Sequence, residues 1–332
     1  MIEQANKKYF ENFPRESYYG RCIFLSWYCE RGTCKFCFRS TTKHKIKHAS
    51  SAKRSMASIL VEAVLAKHLE WNIEFLTGGY GIYPFNELLE IIQNVNKILD
   101  KKVWINLGSF TTEELKQLKP YVEGICASIE TTDEKLHNEL CPDKPIKPYS
   151  NMLKKAKELG FKTSMTIVIG LGEKEQDFKL LKQFIQEHNL DRITFYALKP
   201  VKGTIFENKQ GPTTEYYADW IAKTRTAFPK IEIIAGTTAR RYNEAGTLLR
   251  AGANAITKFP ATKLFGTEQA KVIEQEAEKK GRPMKGTLTK LPKIDWNSQI
   301  DNLELKPALK EQIKTKLRQY LEAMEKNINN RR

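Results

Sequence analysis

Long apolar runs are missing from this chain of 332 residues. Nowhere does it offer the roughly 20 consecutive apolar residues that a membrane-spanning helix needs. The opening segment, Met1 to Tyr9, has no apolar core of the kind an export signal carries, so a cytoplasmic location is expected. Cysteine is scarce, 6 in all, too few for the disulfide framework of a secreted scaffold. Histidine is scarcer, 5 in total, and no solenoid repeat or long low-complexity tract interrupts the sequence. Acidic side chains are in deficit: 39 Asp and Glu face 55 Lys and Arg, a formal charge of +16 that attracts anionic partners without naming one. The remaining composition, 41% hydrophobic and 28% charged, is that of a globular protein and excludes a disordered or fibrous chain.

What is present is an alternation. Eight short, mostly apolar runs read as strands: Arg21–Tyr28, Ile73–Thr77, Val103–Asn106, Gly124–Glu130, Ser164–Ile169, Ile193–Leu198, Ile231–Ala235 and Ala255–Lys258. Between them, Phe85, Leu88, Leu89, Ile92, Val95 and Leu99 recur at helical spacing, as do Phe178, Leu181 and Ile185. Ser150 is placed to cap a helix that Gly160 closes, Thr111 and Thr112 precede Glu113 and Glu114, and Gly252 follows Leu248 and Leu249. Eight such units in roughly 260 residues predict a (βα)8 TIM-type barrel over residues 1–279, with chemistry at the C-terminal strand ends. A doubly wound open sheet gives the same alternation and stays the alternative. Residues 280–332 read as a linker and a C-terminal helix, with Leu309, Ile313, Leu317, Tyr320 and Met324 on the face that packs on the barrel.

Three of the cysteines crowd into one loop. Cys29, Cys34 and Cys37 follow the first predicted strand, and Gly32 lets the backbone between them fold back. A structural zinc site wants four protein ligands, whereas three thiolates on a four-iron cluster leave one iron open. A zinc centre completed by His44 or His48 is the alternative.

At these residues the chain resembles the radical S-adenosylmethionine (SAM) superfamily, whose usual motif spaces its cysteines by three and two residues with an aromatic before the last. Phe36 fills the aromatic position, and the first gap here is one residue longer. The resemblance covers roughly Tyr18 to Thr267. It implies that Cys29, Cys34 and Cys37 hold a [4Fe–4S] cluster and that Gly78 and Gly79 receive the methionine end of SAM. It also implies that Ser128 and Glu130 contact its ribose or amino group, and that Gly170 and Gly172 open a turn beside adenine, with Glu173 at the next helix start. The expected chemistry is reductive cleavage of SAM to a 5′-deoxyadenosyl radical that abstracts hydrogen.

The likeness is greatest to the biotin-synthase-like group, through Leu198–Thr204, Ile234–Gly236 and Ala251–Asn254. Ser164, Trp104 and Thr237 stand where biotin synthase's second-cluster ligands belong, so biotin synthase itself is not expected. Archaeal two-component lipoyl synthase is the specific expectation. It implies sulfur insertion, a second iron–sulfur cluster, a second synthase subunit and an acidic lipoyl-carrier protein docking on Lys310, Lys314, Lys316 and Arg318. Cys141 is the auxiliary-ligand candidate, Cys22 and Cys126 lie within predicted strands, and Arg240 and Arg241 are candidates for a substrate carboxylate. An electron donor of the ferredoxin or flavodoxin type is also implied. The alternatives are a radical rearrangement or fragmentation, as in hydrogenase maturase or methylornithine synthase, and a zinc-stabilised nucleic-acid-binding protein.

Overall fold

Eight parallel strands close on themselves in the computed structural model, which describes residues 1–329. They are β1 (Ser17–Phe24), β2 (Asn72–Thr77), β3 (Val103–Asn106), β4 (Val122–Glu130), β5 (Lys162–Ile169), β6 (Arg192–Ala197), β7 (Glu232–Gly236) and β8 (Ala255–Thr257). Consecutive strands pair in order and β1 joins both β8 and β2, which makes a barrel rather than an open sheet. A two-residue β9 (Met284–Lys285) extends the sheet beside the start of β1. The segment after Lys280 is therefore more than a linker.

Helices α1 (Ile2–Asn12), α2 (Phe38–Thr42), α3 (Met56–His68), α4 (Phe85–Leu99), α5 (Thr112–Leu118), α6 (Glu134–Leu140) and α7 (Ile146–Glu158) occupy the first part of the chain. They are followed by α8 (Phe178–His188), α9 (Thr214–Ala227), α10 (Ala245–Arg250), α11 (Glu268–Lys279), α12 (Trp296–Asp301) and α13 (Pro307–Asn329). The periodic faces behave as expected: α4 buries Leu88, Ile92, Val95 and Leu99, and α8 buries Leu181 and Ile185. Thr111 forms a full capping box with Glu114 on α5. The C-terminal helix α13 packs on α3 through Ile313, Leu317 and Met324, and Arg54 donates to the Tyr320 hydroxyl at 3.3 Å. No helix among the described residues is long and apolar enough to cross a membrane.

Two local readings are corrected. Strand β1 starts four residues before its apolar run, because Ser17 to Gly20 find partners on β8 and β9 while pairing stops at Phe24. Beyond it Ser26 bridges antiparallel to Lys53. Apolarity marked the segment, but the available partners set its ends. Ser150 caps nothing: α7 begins at Ile146 after Pro145, and the Ser150 hydroxyl instead meets His188 Nε2 at 2.7 Å.

Two irregularities aim side chains into the barrel. Opposite β1, Arg21 pairs with Ile73 but Cys22 pairs with Phe75, so Glu74 is an extra residue and a bulge. Opposite β5, Ser128 pairs with Thr166 and Glu130 with Ile167, and Glu130 takes a left-handed backbone at φ +66°.

Candidate active site

The mouth of the barrel, at the C-terminal strand ends, opens into a cavity of about 350 Å³, a size that suits a small molecule. Its wall carries Cys29, Cys34, Phe36 and Cys37 from the loop after β1, Gly78 and Gly79 after β2, and Ser128 and Glu130 from β4. These residues are spread over a hundred positions of sequence and meet here because all lie at strand ends.

Backbone contacts shape the cysteine loop. The Tyr80 amide donates to Cys29 Sγ at 3.4 Å, and Glu30 N donates back to the Tyr80 carbonyl at 3.0 Å. A Cβ on Gly79 would stand 1.7 Å from the Tyr28 carbonyl oxygen, so only glycine lets this turn lie against the loop. Gly78 has ordinary room, its nearest neighbour a Leu107 methyl at 3.6 Å. Of the glycine pair, Gly79 serves the close approach of two backbones, and Gly78 leaves backbone open toward the cavity. The Cys37 amide donates to the Cys34 carbonyl at 3.1 Å, and Lys35 N donates to the Leu140 carbonyl at 2.9 Å, which ties the loop to the end of α6.

The three thiols share one concave wall without closing into a trio tight enough for a single metal ion; no such group of His, Cys, Asp or Glu exists among the described residues. His44 and His48 stand off the cavity, so neither completes a zinc site. A four-iron cluster is wider than an ion and asks for three thiolates around an opening, which this wall provides. Burial raises the pKa of Cys37, whereas Cys34 is lowered, chiefly by a hydrogen bond from the Cys141 thiol with help from the Lys144 ammonium. Cys141 itself is buried behind Cys34, and that shared proton raises its own pKa. It backs the wall rather than facing the cavity.

Glu130 accepts from Lys144 Nζ at 2.6 Å, both side chains mostly covered. Burial disfavours the Lys144 ammonium, but the Glu130 carboxylate, joined by Tyr149, Cys34 and Cys141, outweighs it and the pKa ends raised. His137 braces this pair from below, its ring nitrogens 2.8 Å from the Ile129 carbonyl and 2.6 Å from that of Lys144. Ser128 donates to Asn106 Oδ1 at 2.8 Å.

Other expected residues lie elsewhere. Gly170 does not line the cavity; its φ of +101° makes the turn after β5, and its amide donates to Glu173 Oε1 at 2.7 Å. Glu173 thus folds back on the glycine turn, and burial raises its pKa. Arg241 is held by Glu244 at 2.6 Å and by the Pro212 carbonyl at 2.7 Å, and Arg240 is exposed; neither reaches the cavity wall. Cys22 donates to Glu74 Oε2 at 2.8 Å, and Cys126 is buried with Cys22, Phe75 and Trp104 in the barrel interior.

Sequence reasoning passed over Lys144, Asn106, Glu74, Tyr196 and Lys258. One signal was available: Glu74 is a carboxylate inside an apolar strand, a position that buries charge only with partners. Its partners are Cys22, Thr257, Thr194 Oγ1 at 2.9 Å and the Tyr196 hydroxyl at 3.1 Å.

Residues 25–185 match the family described as the radical SAM superfamily. An uncharacterized protein of Methanocaldococcus jannaschii is 38% identical over 339 residues, covering 100% of this chain and 92% of its own length. The 3-methylornithine synthase of Methanosarcina acetivorans is 24% identical, covering 95% of this chain and 89% of its own. The crystal structure of a methylornithine synthase superposes with a TM-score of 0.72 at 21% identity, covering 85% of this chain and 87% of that one, a likeness of fold.

Proposed function

The chain belongs to the radical SAM superfamily, in its biotin-synthase-like group, and from that premise we propose that it rearranges or fragments a small molecule held inside the barrel. When bound, the superfamily's [4Fe–4S] cluster and SAM supply the one-electron chemistry that opens an unactivated C–H bond. Cys29, Cys34 and Cys37 would hold the cluster. The backbone at Gly78 offers carbonyls to an ammonium, and Ser128 and Glu130 are pre-oriented by Asn106 and Lys144 as acceptors for hydroxyl or amino groups. The barrel wall keeps water from the reacting carbon.

The observation that carries this reading is the convergence of the three cysteines, Gly78, Ser128 and Glu130 on one cavity. Rearrangement is preferred to sulfur insertion because the space between Cys22 and Cys126 is packed with Phe75 and Trp104, and Ser164 replaces a third thiol. The basic stripe on α13 is also partly spent: Lys314 pairs with Asp301 and Glu311, and Lys310 donates to the Asp301 carbonyl. An acidic electron donor of the flavodoxin or ferredoxin type is the partner this chemistry requires.

Anaerobic reconstitution tests the proposal. Protein loaded with iron and sulfide should show an EPR signal that changes on adding SAM and should form 5′-deoxyadenosine. A second iron–sulfur centre, with sulfur transfer to an octanoylated carrier, would replace rearrangement by lipoyl-type sulfur insertion. Zinc without acid-labile sulfide would return the chain to the nucleic-acid-binding alternative.

A further inference from the structure

The cofactor candidates occupy one sector of the barrel, on the loops and strand ends of β1 to β5. The sector formed by β6 to β8 presents a different set to the same cavity: Tyr196, Ala197, Leu198, Lys199 and, at the end of β8, Lys258. In a ring of eight strands β8 stands opposite β4, so Lys258 lies across the mouth from Glu130.

Lys258 is held in a way that an ordinary surface lysine is not. Its backbone is left-handed at φ +67°, a conformation that is strained for any residue with a Cβ. Among the described residues five non-glycine ones have positive φ: Asp100 and Asn189 end helices, Glu70 sits in the turn after α3, and of these five only Glu130 and Lys258 stand at strand ends facing the cavity. Strain at such a position persists because the surroundings over-determine it. Here Thr257 is fully buried and donates to the Gly20 carbonyl at 2.7 Å and to Glu74, which pins the residue before Lys258. The ammonium then lies 4.7 Å from the Phe24 ring centroid and 4.6 Å from that of Tyr196. Both rings are fixed in turn, Phe24 by stacking on Trp27 at 5.5 Å and Tyr196 by its hydrogen bond to Glu74.

Among the described residues no carboxylate answers this charge. Lys144 has Glu130, Arg31 donates to the Tyr149 hydroxyl at 3.3 Å, and Arg39 donates to the Ser26 carbonyl at 3.1 Å. Among the described residues Lys258 has neither a salt bridge nor a hydrogen bond through its ammonium. Lys199 is similarly unpartnered but exposed, with nothing to fix it. Five cations and a single carboxylate line the cavity, so the cavity itself is cationic.

We infer that Lys258 is the anchor for an anionic group on the substrate, a carboxylate or a phosphate, which Lys199 helps draw in at the rim. This rests on the function proposed above and deepens it: the substrate is a small anion whose charge sits at the β8 side of the cavity. The ammonium acts as a point charge and accepts either anion.

The test is calorimetric titration of the full-length, cluster-loaded protein, saturated with SAM, with three probes: succinate, methyl phosphate and the uncharged succinamide. Wild type should bind at least one anion and not succinamide, and the anion bound tells carboxylate from phosphate. Lys258→Met should weaken that binding at least about tenfold, while Lys258→Arg stays within about threefold. Lys258→Gln, checked by circular dichroism, serves if the Met variant does not fold. Equal binding of succinamide, no anion binding by wild type, or unchanged affinity in folded Met and Gln variants each overturns the inference. Iron and sulfide content and the SAM-dependent EPR change, read on the same samples, report the underlying function separately. Lys258-dependent anion binding without a cluster would sink that function and leave the anion site standing.

Discussion

At the floor of the barrel, Arg225 and Arg282 are fully buried; at its mouth, Lys258 projects into a cavity. Among the described residues none of the three has a carboxylate partner, yet their surroundings differ completely. Arg225 donates to the carbonyls of Gly252, Pro229 and Ile231 and to Asn254 Oδ1, at 2.6–3.0 Å. Arg282 donates to the carbonyls of Arg15, Leu249 and Ala253 at 2.9–3.1 Å and lies 3.3 Å from the centroid of the Tyr9 ring. Burial lowers the pKa of both guanidiniums, and the ring of acceptors is what retains the charge there. The floor cations close the chain ends, including α1 and the segment before β9, over the barrel. The mouth cation satisfies nothing in the protein, and its backbone is strained. In this fold a fully satisfied charge reads as structure, and an unsatisfied, strained one reads as a ligand site.

That contrast can be broken most severely by Cys34→Ala. Formation of 5′-deoxyadenosine should fall by at least about 10³-fold while urea unfolding shifts by less than about 1 kcal/mol, because the mouth carries chemistry rather than stability. A comparable loss of stability would show that the loop holds the fold. Arg282→Met should do the reverse, lowering unfolding free energy by about 3–5 kcal/mol because three buried carbonyls lose their donor. A melt unchanged from wild type would place this arginine with the dispensable charges.

Lys144→Met probes the one satisfied ion pair at the mouth and should cost about 2–4 kcal/mol by leaving Glu130 covered and alone. Since the Lys144 pKa is raised in the folded protein, the pair's contribution is complete below the ordinary lysine value near 10.4 and is lost as pH climbs through the folded value. Wild-type and variant melting curves should therefore converge only in strong alkali; convergence near neutrality would contradict the pairing. The smallest effect is expected from Lys258→Gly, which relieves the left-handed backbone. Stability should stay level or rise by up to about 1 kcal/mol, and a fall of more than that would mean Lys258 packs as structure.

The alternation of apolar runs and helical faces made the barrel legible, as did the capping box at Thr111. The cysteine loop was legible because three thiols, one glycine and an aromatic before the last thiol stand within nine positions. The roles of Gly79 and Gly170 were not, since the carbonyl that excludes a Cβ from Gly79 belongs to Tyr28, fifty residues away. Arg241 was read as a ligand although Glu244, three residues on, pairs with it locally; the Pro212 carbonyl claims it only once the loops after β6 and β7 meet.

Local spacing alone determined that this chain builds strands and helices in turn and that a thiolate-rich loop follows the first strand, because periodicity and ligand spacing act between near neighbours. Closure of the ring decided the rest. Only when β8 met β1, and the Glu74 bulge pinned Tyr196 and Thr257, did a lysine from residue 258 come to face a carboxylate from residue 130 across one cavity. Such contacts depend on strand register and on which charges find partners, and neither is encoded within any single segment.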